Sequence, residues 1–213
     1  MLVSASCRID HLVLACADLA QAAAHVRALL GVEVQPGGRH ALMGTHNALL
    51  KLGPRTYLEL IAIDPGGAAQ RPRWFGMDTA AVRTRMASGP FLLTWVAACS
   101  DVVAAAALDR GFGEVIAASR GAFSWRITVP ADGGLNRDGV VPTLIQWNGQ
   151  AHPCDGLAES GCSLRELELR HPAAAQLEPL FASLQLHGPV RLRAGAAAIT
   201  ARIATPRGVT ELC

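Results

Sequence analysis

Residues 9–18, IDHLVLACAD, and residues 92–101, LLTWVAACSD, overlay without a gap and share Ala-Cys-x-Asp at their ends. An apolar run of this kind reads as a buried strand, and its recurrence means that two copies of one supersecondary unit share the chain. The spacing is too long for a solenoid, and one such unit is too small to bury its own sheet face. The copies must therefore cover each other or be covered by something else.

The residues after each run support the repeat. Behind the first, Asp18 predicts an N-cap, 19–30 a helix with Ala22, Val26, Leu29 and Leu30 on one face, and Gly31 its end. Strands are predicted over 32–35, 46–52 and 56–63, with Pro36-Gly37-Gly38 and Gly53-Pro54 as punctuation. Behind the second, a helix over 102–110 precedes strands over 114–118, 122–129 and 143–147. Residues 64–90 are turn-rich and read as a linker with one short helix. A third, weaker copy starts at Cys162: SLRELELRH, then the amphipathic PAAAQLEPLFASLQL, then VRLRAGA, AITARIAT and GVTEL. The expected organisation is a first βαβββ module over 7–63, a linker over 64–90, a second module over 91–152 and a divergent third over 162–213.

Composition bounds the function. Half-hydrophobic composition (51%) with 17% charged residues excludes a disordered chain, and a net charge of +2 offers no nucleic-acid surface. No apolar run approaches the ~18 residues of a membrane span. Arg8 and Asp10 interrupt any signal-peptide core, so a cytoplasmic protein is expected. The six cysteines form no C-x-x-C pair, and reduced, partly buried thiols are expected. Motifs for dinucleotides, nucleotide phosphates, serine hydrolysis and zinc proteolysis are absent. The HPCD stretch at 152–155 reads as a proline-bounded loop.

Paired βαβββ modules with a histidine in the first strand and a glutamate in the fourth resemble the vicinal oxygen chelate superfamily. That group holds glyoxalase I, extradiol dioxygenases and bleomycin-resistance proteins. GGRHALMGTHNALLKLGPRTYLELIAI, with FSWRITVP and VPTLIQW, is more narrowly similar to its glyoxalase-like domain family. The resemblance implies an α+β fold in which tandem modules form a cupped, open-barrel mixed sheet with the site on the concave face. It implies ligand positions on the first and fourth strands of each module, which map to His11, Glu59, Thr94 and Gln146.

A histidine or glutamate among apolar strand neighbours is costly unless paired or metal-bound. Two arrangements stay open. In one, His11, Glu59 and Gln146 hold one divalent metal ion (Zn, Ni, Mn or Fe); in the other, His11 and Glu59 hydrogen-bond each other in a metal-free cavity. Glu59, His11 and His46 are the candidate catalytic groups. His40, Thr45, Asn47, Thr94, Trp125 and Trp147 are the candidate substrate contacts. Thr45 and Asn47 read equally well as a strand corner made possible by Gly44. The function classes are a lyase or isomerase acting on a carbonyl or vicinal-oxygen substrate, a protein that sequesters a small molecule, and a structural module. The expected partners are a small-molecule ligand and a second copy of the chain, with the third module pairing across a homodimer; nucleic acid and membrane are not expected.

Overall fold

In the computed structural model, which describes residues 6–213, the first repeat is β1 (Cys7–Ala15), α1 (Leu19–Leu30), β2 (Gln35–His40), β3 (Thr45–Gly53) and β4 (Thr56–Ile63). Asp18 caps α1 by accepting from the Gln21 amide, and Gly31 closes it at φ 75°. α2 (Ala80–Ser88) lies in the connecting segment. The second repeat is β5 (Phe91–Cys99), α3 (Val102–Ala106), β6 (Glu114–Arg120), β7 (Phe123–Val129) and β8 (Thr143–Trp147), followed by a single turn, α4 (Pro153–Gly156). Beyond it come β9 (Ser163–His171), α5 (Ala174–Ser183), β10 (Leu186–His187), β11 (Val190–Ala194), β12 (Ala198–Thr205) and β13 (Gly208–Leu212).

The two repeats form one mixed sheet in the order β2-β3-β4-β1-β5-β8-β7-β6, with β10 added to the end of β1. The overlaid strands meet antiparallel at its centre, His11 opposite Val96 and Val13 opposite Thr94. In each repeat the first strand lies parallel to the fourth, as β1 beside β4 and β5 beside β8. The sheet curls until its edge strands approach: Arg120, at the end of β6, donates to the Asn47 side chain of β3. This is the cupped α+β architecture that the family resemblance implies.

β2 differs from its expected span because Pro36, Gly37 and Gly38 continue the strand instead of turning it. A proline without an N–H is tolerated on an edge strand. The glycines are there for close approach. A Cβ on Gly37 would collide with the Asn47 side chain, and one on Gly38 would stand 2.8 Å from Cδ of Arg120. Gly37→Ala is therefore expected to push Asn47 out of place at a cost of about 1–3 kcal/mol. A urea midpoint equal to the parent's would show that the strand yields freely.

The two sheet faces have separate cores. Leu12, Leu14, Leu50, Leu58, Leu60 and Trp95 face outward, under the helices and the last strands of the chain. Val13, Ala15, Ile61, Val96, Ile127 and Ile145 face into the cup. The third unit differs in both element count and topology: four strands follow its helix, β10 joins the large sheet, and the rest run β11-β9-β12-β13 with the first strand in the interior. Leu167, Leu169, Leu177, Ile199 and Ile203 share one core with Leu12 and Trp95. The apolar face of the third unit is thus covered within the chain.

The thiol expectation also changes. Cys7 and Cys99 are direct neighbours across β1 and β5 and form a disulfide, while Cys16, Cys154, Cys162 and Cys213 are free. That adjacency comes from the strand register, which cysteine spacing does not reveal. Among the described residues no helix is long and apolar enough to cross a membrane.

Candidate active site in the cup

An irregularity in β1 builds the site. Ile9 pairs with Ala97 and His11 with Val96, so Asp10 is the extra residue of a β-bulge. Alternation predicts Ile9 on the face of His11; instead Ile9 stays in the outer core and His11 lines the cup. Asp10 is fully buried and makes three side-chain bonds: to His11 Nδ1 (2.7 Å), to Trp147 Nε1 (2.9 Å) and to His152 Nε2 (3.2 Å). Burial alone would raise its pKa, but the hydrogen bonds from His11 and His152 more than offset that and hold the carboxyl well below the usual range. As an ionised acceptor, Asp10 receives the hydrogen bond that His11 Nδ1–H donates and leaves Nε2 turned to the pocket. The Tyr57 ring stacks on the same imidazole, with centroids 4.5 Å apart.

Glu59 comes from β4, where it sits beside Val13. One carboxylate oxygen accepts from Asn47 Nδ2, and the other stands 3.6 Å from His11 Nε2. His11 and Glu59 therefore do not hydrogen-bond each other, contrary to the metal-free expectation; each is held from behind by another residue. The Asn47 amide is oriented from both ends, since its oxygen accepts from the Gly38 amide (2.8 Å) and from Arg120 Nη1 (2.9 Å).

The same Arg120 nitrogen lies 3.2 Å from His40 Nε2, and His40 Nδ1 lies 3.1 Å from Thr45 Oγ1. Arginine only donates, so Nε2 accepts, and the His40 proton is on Nδ1 facing Thr45. Burial, opposed by Glu59 and aided by Arg120 and the other histidines, pushes His40 down to about 4. His40 is thus a neutral support for Arg120 near pH 7.

Tyr57, Trp74, Phe75, Trp125, Ile127 and Trp147 complete the wall of a pocket of ≈ 360 Å³, open mouth included. The structure thus brings His11, Glu59, His40, Asn47, Trp125 and Trp147 together. Thr45 stands behind His40. Thr94 lies on the cup side, but its hydroxyl donates to the Gly139 carbonyl (2.9 Å) and does not line the pocket.

His46 and Gln146 are corrections. His46 alternates with Asn47, so it lies on the face of Ala48 and Leu50, away from the cup. Gln146 alternates with the pocket residues Ile145 and Trp147. It caps α3 by accepting from the Val102 amide, and it donates to the Ser100 carbonyl. The cause is register. Glu59 sits beside Val13, and the counterpart of Val13 is Val96, which sits beside Thr143. Thr143, not Gln146, is therefore the match to Glu59. An odd shift between them reverses the face.

This donor set does not fit a divalent ion. Catalytic metal sites of this kind take about three protein ligands, and here His11 Nε2 and Glu59 stand alone. Gln146 is on the other face, and both Asp10 oxygens are engaged. His40 Nε2 faces a guanidinium. Among the described residues no three His, Cys, Asp or Glu side chains form a metal-holding group.

Asp10, Tyr57, Trp74, Phe75, Arg120 and His152 escaped the sequence reading. An acid inside an apolar strand and two aromatics inside a supposed linker were the available signals. Phe75 is held at φ 60°, a conformation that costs a non-glycine residue about 1–3 kcal/mol.

The model of the glyoxalase-like domain family matches residues 9–185. No curated protein matches the sequence. Among solved structures, a hypothetical protein from Staphylococcus aureus is similar at TM-score 0.60 and 13% identity, over 90% of this chain and 87% of that one. A methylmalonyl-CoA epimerase in complex with methylmalonyl-CoA and NH4+ is similar at 0.45 and 24% identity, over 68% and 98%. The methylmalonyl-CoA epimerase of Mycobacterium tuberculosis is similar at 0.42 and 18%, over 67% and 88%. The first of these likenesses speaks to the fold alone.

Proposed function

Since the chain belongs to the glyoxalase-like domain family, we propose that its cup binds a small carbonyl compound and moves a proton on the carbon beside the carbonyl, in lyase or isomerase chemistry. The observation that carries this reading is His11 Nε2 and the Glu59 carboxylate standing side by side on the pocket wall, each oriented by a buried partner. With its Nδ1 proton committed to Asp10, His11 meets the substrate through an unprotonated Nε2, the form a general base needs. The C–H bond breaks toward Nε2, and its electron pair moves onto the carbonyl oxygen as an enolate. Asp10 then stabilises the imidazolium that forms, in the manner of the third member of a hydrolase triad. Glu59, 3.6 Å from Nε2, holds the new imidazolium, and the proton then passes from Nε2 to another atom of the enolate. The aromatic wall keeps bulk water away from the enolate.

The test measures exchange of the proton beside the carbonyl in a panel of small aldehydes, ketones and 2-oxo acids, by proton NMR in deuterated water. Exchange above the uncatalysed rate is expected. His11→Ala and Glu59→Gln should each lower it by about 10²–10⁴-fold. A panel that binds without exchange would sink the catalytic reading. It would favour sequestration instead, which the five aromatic rings lining the cup also support.

A further inference from the structure

Three donors around His40 have no anionic partner. Trp74 and Trp125 both line the pocket, are 5% and 4% exposed, and stand nearly perpendicular to the His40 ring, with centroids 5.0 and 6.3 Å away. Their indole N–H groups are buried without a hydrogen-bond partner. Buried donors normally find an acceptor, and leaving one unmet is costly, so a pair of them in one pocket wall points to an acceptor supplied from outside. The contrast with the other two tryptophans is sharp: Trp147 donates to Asp10 and Trp95 to the Val140 carbonyl.

Arg120 supplies the charge. Its bonds to protein both leave from Nη1 and end on neutral acceptors, Asn47 and His40. Among the described residues no carboxylate lies within ion-pair distance of it. A half-buried guanidinium without a counter-ion is a site for an anion, and its planar fork suits two oxygens at once. Arg120 also borders an open groove lined by Pro36, Gly37, Phe123 and Leu157, so an anion arriving from solvent meets it first.

We infer that Arg120, Trp74 and Trp125 form a carboxylate-recognition subsite, and that the substrate is a compact carbonyl compound carrying a carboxylate, such as a 2-oxo acid. This deepens the proposed function and rests on its placement of the ligand in the cup. The carboxylate oxygens accept from the guanidinium and the indole N–H groups, which leaves the carbonyl end for His11 and Glu59. Neutral His40 keeps Arg120 aimed and adds no negative charge that would repel the ligand.

The experiment reads the four indole N–H signals of ¹⁵N-labelled protein during titration with pyruvate, with its amide and with inorganic phosphate. Assignment uses Trp74→Phe and Trp125→Phe. Pyruvate is expected to move the Trp74 and Trp125 signals and to spare those of Trp95. The neutral amide should bind about 10–100-fold more weakly. Arg120→Gln should remove the preference for pyruvate, and Arg120→Lys should keep part of it. Equal shifts with pyruvate and its amide, unmoved Trp74 and Trp125 signals at tens of millimolar pyruvate, or phosphate binding as tightly as pyruvate would each overturn the inference. Because the readout is binding, it is distinct from proton exchange: pyruvate bound without exchange fails the catalytic reading and leaves the subsite standing.

Discussion

A chain cut before Cys162 should not hold the fold of the first two repeats. The third unit covers the outward face of the large sheet, where its Leu167, Leu169, Leu177, Ile199 and Ile203 share one core with Leu12, Leu14, Leu58, Leu60 and Trp95. Its backbone is also tied in. The Cys7 amide donates to the Leu184 carbonyl, the Leu92 amide donates to the Cys213 carbonyl, and β10 adds to β1. Re-exposing a buried leucine-sized side chain costs about 1.5–3 kcal/mol, and a domain has only about 5–15 kcal/mol in total. Uncovering a handful of these side chains is enough to unfold the remainder. The fragment is expected to bind a hydrophobic dye and to lack a cooperative thermal transition. A fragment melting within a few degrees of the full chain would mean that α1 and α3 alone cover the sheet.

The repeat made the two paired modules legible through a gap-free overlay of two buried strands, and the family resemblance supplied the cup. His11 and Glu59 could be placed because each is an ionisable residue in an apolar strand, at positions the family resemblance marks. What stayed hidden has identifiable causes. A bulge leaves no trace in hydrophobic alternation, so Asp10 passed for an ordinary strand residue even though it turns inward beside His11. Gln146 was misplaced because a strand has period two, and TLIQW offers no internal mark of its register. Trp74, Phe75 and Arg120 reach the pocket only through tertiary closure, from a segment without periodicity and from the tip of an edge strand. The cover over the outer face was equally invisible: one chain and two chains satisfy an amphipathic unit equally well, and only the packed structure separates them.

Asp10→Ala should be the most damaging single substitution in the cup. It strands the His11, His152 and Trp147 donors around a fully buried carboxylate position. Removing one member of a buried charged network costs about 3–5 kcal/mol. Asp10→Asn separates stability from chemistry. The amide keeps the shape and one acceptor oxygen, but its NH2 group faces a ring nitrogen that must now give up its own proton to pair with it. If that ring is His11, the base is left with a proton on Nε2, and exchange of the substrate proton should fall by about 10²–10⁴-fold while the fold survives. Long-range ¹⁵N spectra of the imidazoles report the tautomer directly. The pH dependence has a fixed sign. Asp10 is held below its unfolded value of about 3.9, so its contribution is present above about pH 4 and is lost as pH falls toward the depressed folded value. The acid limb of the stability curve should therefore be shallower in Asp10→Asn than in the parent. A urea midpoint for Asp10→Ala equal to that of the parent, or an unchanged His11 tautomer in Asp10→Asn, would show that the carboxylate does not organise this histidine.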